Sequence, residues 1–109
     1  MCSFDYDEPM EEVFGAARAL PHVTFFVTGN PRKLSDAVRA ELPSNLTLTG
    51  FLDTPAYGGL LASVDAVLVL TPDYTHRNVV VRTLKSGIPT FVEKPLDITL
   101  EAADEILDT

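Results

Sequence analysis

The sequence predicts an α/β fold: a single doubly wound parallel sheet of about four strands with helices on both faces. Short apolar runs alternate with helical patterns along the chain, and only short turns separate them. Strict alternation favours parallel strands joined by right-handed crossovers. The runs are nearly continuous, which is typical of strands that helices cover on both faces. We therefore expect one domain over residues 1–109.

The first half of the chain predicts two helices and two complete strands. Met1–Phe4 indicates the stub of a further strand, and a helix follows Pro9 and ends before Pro21. Val23–Thr28 is rich in β-branched and aromatic residues, which predicts a strand. The pattern then predicts a helix at Arg32–Glu41, with Leu34, Ala37 and Val38 inward, and a strand at Leu46–Thr49.

The second half is organised around one β-α-β stretch. The strand at Asp65–Leu70 is expected to be central and the most buried, because its apolar run is uninterrupted. A helix at Thr75–Ser86 and a strand at Pro89–Glu93 follow it. One flanking helix is predicted at Pro55–Leu61, where Tyr57, Leu60 and Leu61 face inward. The other is predicted to begin after a cap at Asp97 or Thr99. Its inward residues are Leu100, Ala103, Ile106 and Leu107.

Polar clusters follow the two strands of this stretch, at Thr71–His76 and at Glu93–Pro95. Ligands of open parallel sheets bind beyond the carboxyl ends of the strands, so both clusters fall where a site would lie. The first cluster has two interpretations. Asp73 or Thr75 only caps the next helix, or the amides of that helix bind a phosphate or ribose.

The side chains of His76 and Lys94 also leave two interpretations each. His76, in the first turn of the helix, either donates to a ligand or is an ordinary surface histidine. Lys94 follows a strand and precedes Pro95. It is either partly desolvated and directed across the sheet edge, or it forms a solvated charge pair with Glu93.

Composition excludes several classes of protein. With 16 acidic and 8 basic residues the net charge is −8, and no basic patch for nucleic acid is visible. No apolar run approaches the length of about 18 residues that a membrane span needs. Cys2 is the only cysteine, which favours a reducing, cytoplasmic location. No metal site is predicted, and an exposed strand edge would suit a homo-oligomer or a partner domain.

Residues Val64–Leu107 resemble the nucleotide-binding domain of the glucose-fructose oxidoreductase/inositol dehydrogenase (Gfo/Idh/MocA) family. The resemblance implies a Rossmann-like domain that binds NAD or NADP, with Lys94 catalytic beside the nicotinamide. It also implies that the cofactor is bound by Thr71, Pro72, His76, Glu93 and Pro95. The matching residues are Asp65-Ala66-Val67, Thr71-Pro72, Thr75-His76, Leu84-Lys85-Ser86-Gly87, Glu93-Lys94-Pro95-Leu96 and Thr99-Leu100-Glu101.

The first part of the chain departs from that family. The Gly-x-Gly-x-x-Gly turn is absent, and Phe4–Pro9 offers no glycine for the pyrophosphate. No acidic residue follows Val23–Thr28 to take a ribose hydroxyl. Gly29–Lys33 stands there instead. Arg32 and Lys33 are either solvated charges at the start of a helix, or one of them reaches an extra phosphate of the cofactor. Because no substrate-binding domain is recognised, we do not expect turnover by this chain alone.

Residues 1–71 also resemble the nucleotide-sugar domain of glycosyltransferases built from two Rossmann-like halves. The glutamate that binds the donor ribose in such enzymes is missing, and Arg82-Thr83-Leu84 stands where it is expected. A third hypothesis is a non-catalytic structural α/β domain. The features that carry the glycosyltransferase resemblance are Cys2-Ser3-Phe4, Asp7-Glu8-Pro9, Thr28-Gly29-Asn30, Leu42-Pro43, Asn45, Thr49-Gly50-Phe51-Leu52, Tyr57, Leu60-Leu61 and Asp65–Thr71.

Overall fold

The computed structural model describes residues 10–109. These residues form two compact units, 10–52 and Asp53–Thr109. Each unit contains one pair of parallel strands with helices, so the α/β class is confirmed. The strand stub predicted at Met1–Phe4, and the helix start predicted at Pro9, lie outside the described residues.

The first unit buries one face of its long helix against its strands. Buried Met10, Phe14 and Ala17 follow the three- and four-residue spacing of a helix, and they pack with Leu46. Phe25 and Val27 add to this core from the first strand. The elements are α1 (Met10–Ala19), β1 (Phe25–Thr28), a 3₁₀ turn (Pro31–Lys33), α2 (Asp36–Ala40) and β2 (Leu46–Gly50).

The helix predicted at Arg32–Glu41 is in fact two short pieces. Leu34 is extended, with φ −78° and ψ 136°, and it separates the 3₁₀ turn from α2. Ser35 causes the new start, because its hydroxyl accepts a hydrogen bond from the Val38 amide. Leu34 and Val38 are half-buried as predicted, whereas Ala37 is exposed, because α2 is too short to extend a second apolar row.

The second unit packs two helices on one face of its strand pair. Its core consists of Val69 on β3, Val80 and Val81 on α4, and Ile106 on α5. The strands are parallel and in register from Val67 opposite Thr90 to Val69 opposite Val92. The elements are α3 (Thr54–Ser63), β3 (Val67–Val69), a 3₁₀ turn (Asp73–Thr75), α4 (His76–Lys85), β4 (Thr90–Val92) and α5 (Leu100–Asp108).

The sequence predicted one sheet of about four strands with β3 at its centre, and the described residues show one pair of parallel strands in each unit. The strands form two two-stranded sheets, β1 with β2 and β3 with β4. Val69 is fully buried, but Leu68 is 51% exposed, and Phe91, its neighbour in the register, is 64% exposed. Successive side chains of a strand point to opposite faces, and α4 and α5 cover only the Val69 face.

The buried face of α5 also differs from the prediction. Thr99 caps the helix through a hydrogen bond from the Ala102 amide to its hydroxyl. Ala102 and Ile106, one turn apart, are the buried residues. Leu100 and Leu107 are 80% and 71% exposed, because the buried face of α5 is the one that contains Ala102 and Ile106.

Candidate functional site

The turns that follow β3 and β4 emerge at the same edge of their sheet, as predicted from the parallel strands. His76 holds the two turns together. Its Nε2 lies 2.8 Å from the carbonyl oxygen of Thr71, in the turn after β3. Its Nδ1 lies 2.8 Å from the carbonyl oxygen of Pro95, in the turn after β4. One imidazole ring therefore connects the two polar clusters.

His76 is fully buried, so the expectation of a surface histidine is wrong. Each ring nitrogen faces a carbonyl oxygen, and a neutral imidazole donates from only one nitrogen. Both contacts are hydrogen bonds only when the ring carries both protons. In either form the ring of His76 joins the turns that contain Thr71 and Pro95.

The turn after β3 is closed by its own hydroxyl groups. The Thr75 hydroxyl lies 2.6 Å from the Thr71 hydroxyl and 2.7 Å from the Pro72 carbonyl oxygen. Thr71 is buried, Pro72 is half-buried, and Tyr74 is 68% exposed. The surface that this turn offers to a ligand is therefore formed by Pro72 and the residues after it, with Thr71 beneath.

A carboxylate already occupies the N-terminus of α4. Oδ2 of Asp97 accepts a hydrogen bond of 3.0 Å from the Arg77 amide, and Oδ1 accepts one of 2.7 Å from the Ile98 amide. The Arg77 amide contributes most to a pKa of Asp97 below its usual range. The predicted caps, Asp73 or Thr75, are wrong, since neither side chain caps this helix. A phosphate bound at this terminus would meet the charge of Asp97.

The turn after β4 presents its charged residues to solvent. The Glu93 amide donates to the Val69 carbonyl oxygen at 3.3 Å and so continues the strand ladder. Glu93 and Lys94 are both exposed, so the partly desolvated lysine considered above is not found. Within residues 10–109 the Lys94 ammonium makes no hydrogen bond or ion pair, so the alternative pair with Glu93 is not formed either. The Lys94–Pro95 peptide is cis.

A second polar feature, which the sequence did not indicate, lies on the outer side of α4. A shallow groove of about 380 Å³ runs along it between Arg77 and Lys85. Arg77 forms an ion pair with Glu105 of α5, and the Arg82 guanidinium lies 4.6 Å from the centre of the Tyr57 ring. The groove contains none of the residues predicted to bind a cofactor.

Residues 10–109 contain no group of three histidine, cysteine or acidic side chains able to hold a metal ion. None of the helices described is long and apolar enough to cross a membrane.

Known proteins are similar to parts of this chain. The profile of an oxidoreductase family with an NAD-binding Rossmann fold matches residues 16–109. UDP-N-acetylglucosamine 3-dehydrogenase of Acidithiobacillus ferrooxidans is 35% identical over 68 residues, 62% of this chain and 21% of that protein. The NAD(+)-dependent scyllo-inositol 2-dehydrogenase of Bacillus subtilis is 36% identical over 50 residues, 42% of this chain and 15% of that protein.

A third relative is named for a different activity: a glycosyl hydrolase family 109 protein of Shewanella putrefaciens is 34% identical over 72% of this chain and 17% of that protein. The chain thus spans about a fifth or less of the length of these relatives. The profile match includes most of residues 1–71, and the glycosyltransferase resemblance gains no support from these relatives. The chain belongs to the Gfo/Idh/MocA oxidoreductase family and carries its NAD-binding Rossmann fold.

Proposed function

We propose that this chain is the nicotinamide-nucleotide-binding part of a dehydrogenase that oxidises an alcohol of a sugar or polyol. The observation that carries the proposal is the link made by His76 between the turns at Thr71 and Pro95. It brings the residues of both polar clusters to one edge of the strand pair. The substrate class follows the two dehydrogenases described above, whose names give a sugar nucleotide and an inositol as substrates.

In this proposal Lys94 is the catalytic residue. The next residue, Pro95, is held by His76, while the Lys94 side chain is exposed and unpaired among the described residues. As a free amine in that position, Lys94 would accept the proton of the substrate hydroxyl, and as an ammonium it would orient and stabilise the substrate oxygen. A bound nicotinamide would supply the acceptor for the hydride of the alcohol carbon.

The remaining predicted residues receive different roles. Pro72 and Pro95 line the face on which the nicotinamide half rests, and Glu93 flanks it. Thr71 supports this face from below, because its hydroxyl is already paired with Thr75. His76 positions both turns without touching the cofactor.

The fit to the cofactor is partial on the phosphate side. Asp97 accepts a hydrogen bond from the Arg77 amide in the first turn of α4, so its charge opposes the binding of a pyrophosphate at this helix terminus. The sequence also lacks the glycine-rich turn. We therefore expect weak binding of nicotinamide nucleotides.

Fluorescence titration of NADH and NADPH tests the proposal. Wild type is compared with Lys94→Ala and with the control Lys85→Ala, which removes an exposed lysine of α4. We expect saturable, weak binding that Lys94→Ala lowers and Lys85→Ala leaves unchanged. Equal affinity in all three proteins would remove Lys94 from the site. Saturable binding of UDP-glucose without either cofactor would favour the glycosyltransferase alternative, and no nucleotide binding would favour a structural domain.

A further inference from the structure

The groove on the outer side of α4, within the second unit, concentrates positive charge in an acidic chain. Three of the chain's eight basic residues, Arg77, Arg82 and Lys85, line it. Glu105 is the one acidic residue among its described lining, so three cations against one carboxylate give the groove a formal charge of +2. The whole chain carries −8. The groove therefore attracts negative charge locally, although the protein as a whole repels it.

Arg82 is held in place at this groove by α3. Cations in the last turn of a helix often serve its free carbonyl groups. The Arg82 guanidinium instead lies 4.6 Å from the centre of the Tyr57 ring, and Nη2 donates to the Thr54 carbonyl oxygen at 3.4 Å. An arginine whose side chain is already fixed loses less conformational freedom when it binds an anion. Arg82 is therefore preorganised at the groove.

The other two cations are available in different ways. Lys85 is exposed, and within residues 10–109 it forms no hydrogen bond or ion pair. Arg77 is paired with Glu105, and both side chains are partly exposed, at 48% and 42%. Exposed ion pairs are weak, so a carboxylate from a ligand would be able to replace Glu105 at Arg77.

The spacing of the cations distinguishes between possible ligands. At 1.5 Å per residue, Arg77 and Arg82 are about 7.5 Å apart along the helix axis, and Lys85 is about 4.5 Å further on. In an extended peptide, side chains on one face recur about every 6.7 Å, so carboxylates at alternate positions match all three cations. A single phosphate does not span this distance, and the carboxyl end of a helix disfavours concentrated negative charge. Val81, which is 9% exposed, adds an apolar surface for the stems of such side chains.

We propose that this groove binds an acidic segment of a partner protein in an extended conformation. Carboxylates at alternate positions of the segment pair with Arg77, Arg82 and Lys85, and one of them replaces Glu105 at Arg77. Charge complementarity carries the choice of partner. The contact goes beyond the proposed nucleotide binding, and the groove contains none of the residues assigned to the cofactor.

Fluorescence anisotropy with a labelled Glu-Ala-Glu-Ala-Glu peptide tests the proposal. The control peptide Glu-Glu-Glu-Ala-Ala has the same charge, but only two of its carboxylates lie at alternate positions. We expect it to bind at least about threefold more weakly, because one ion pair is lost. Gln-Ala-Gln-Ala-Gln should not bind, and the affinity for the first peptide should fall as salt is raised.

Two variants of the groove should change the affinity in opposite directions. Lys85→Ala should weaken peptide binding about two- to fivefold, although it leaves NADH affinity unchanged, and Arg32→Ala controls for the loss of an exposed cation. Glu105→Gln frees Arg77 and should strengthen peptide binding by a similar factor. Asp104→Asn, which removes the same charge from an exposed neighbour outside the groove, should leave the affinity nearly unchanged. A gain of affinity cannot result from misfolding.

Several outcomes would overturn the inference. Equal affinity for the two acidic peptides, or no gain with Glu105→Gln, would show that the groove does not recognise spaced carboxylates. Displacement of the peptide by inorganic pyrophosphate at lower concentrations than by unlabelled peptide would indicate a phosphate ligand instead. A dimer in sedimentation velocity that Lys85→Ala dissociates would make a second copy of this chain the occupant. None of these results concerns NADH binding, so the proposed function is tested independently.

Discussion

Nδ1 of His76, the first residue of α4, lies 2.8 Å from the carbonyl oxygen of Pro95, a residue 19 positions later in the chain. The opposite ring nitrogen faces the carbonyl oxygen of Thr71. Because the ring is fully buried, water cannot replace it as a partner of these two oxygens. The geometry of the edge beyond β3 and β4 therefore depends on one side chain.

Replacing this histidine should destabilise the protein. His76→Leu removes the ring that donates to at least one of these two carbonyl oxygens, and we expect a loss of about 1–3 kcal/mol in the free energy of unfolding. Urea denaturation measures the loss. His22→Leu is the matched control, because His22 is exposed, and it should change the value by no more than about 0.5 kcal/mol. Similar values for the two variants would show that the ring contacts contribute little.

The two faces of β3 should respond differently to truncation. Val69→Ala removes buried methyl groups and should cost about 1–3 kcal/mol. Leu68→Ala removes more atoms, but the side chain is 51% exposed, so we expect a cost of less than about 1 kcal/mol. Urea denaturation of both variants shows which substitution lowers the free energy of unfolding more. A larger cost for Leu68→Ala would mean that the Leu68 face is covered in solution.

The sequence predicted the positions of the helices and strands better than it predicted which of their faces are buried. All four strands and five helices described lie close to the predicted segments. The apolar run at β3 could not show that only its Val69 face is packed, because both of its faces are apolar in sequence. Helix ends were uncertain for a related reason. Asp97 and Thr99 are both good caps, and only the fold places Asp97 at α4 and Thr99 at α5.

The candidate site was predicted in position but not in its contacts. The parallel order of β3 and β4 was sufficient to place Thr71 and Pro95 at one edge. The burial of His76 was not predictable, because it depends on carbonyl oxygens 5 and 19 residues away in sequence. Local spacing contains no information on such contacts.

Asp97 should make stability depend on pH in the acid range. Its pKa is lowered, chiefly by the hydrogen bond from the Arg77 amide, so the folded state favours the carboxylate. The resulting stabilisation is present above the usual aspartate pKa of about 3.9 and is lost as pH falls through the lower folded-state value. Urea midpoints of wild type and Asp97→Asn should therefore differ at neutral pH and converge in acid. Asp104→Asn controls for the loss of one charge, and a difference that persists in acid would contradict this role.

The Tyr57 phenol should ionise at higher pH than free tyrosine. Burial raises its pKa, and the nearby Arg82 guanidinium partly opposes the rise. The neutral phenol thus stabilises the folded state fully below about pH 10, and this contribution is lost as pH rises through the folded-state pKa. Phenolate absorbance measures the titration of all tyrosines, and the difference between wild type and Tyr57→Phe gives the part that belongs to Tyr57. Arg82→Gln should raise the Tyr57 pKa further, and a Tyr57 pKa that falls instead would show that Arg82 does not act on the ring.

Asn45 should be the most sensitive polar residue of the first unit, because its amide group serves three backbone acceptors. Nδ2 lies 2.8 Å from the Ala17 carbonyl oxygen, 3.0 Å from that of Leu20 and 2.8 Å from that of Val23. It thereby joins the end of α1 to the approach to β1. Asn45→Ala removes the side-chain donor that these oxygens share, and the contacts to Ala17 and Val23 are partly buried, so we expect a loss of about 1–3 kcal/mol.

Asn45→Asp tests the same contacts more sharply, because it has nearly the same shape. At neutral pH its carboxylate would face three carbonyl oxygens and could donate to none of them, so the loss should exceed that of Asn45→Ala. Protonation supplies one donor, so the difference between the two variants should narrow as pH falls below about 4. Denaturation at neutral and acid pH measures both effects. If Asn45→Asp is the milder variant at neutral pH, the side-chain amide is not the group that holds α1 to β1.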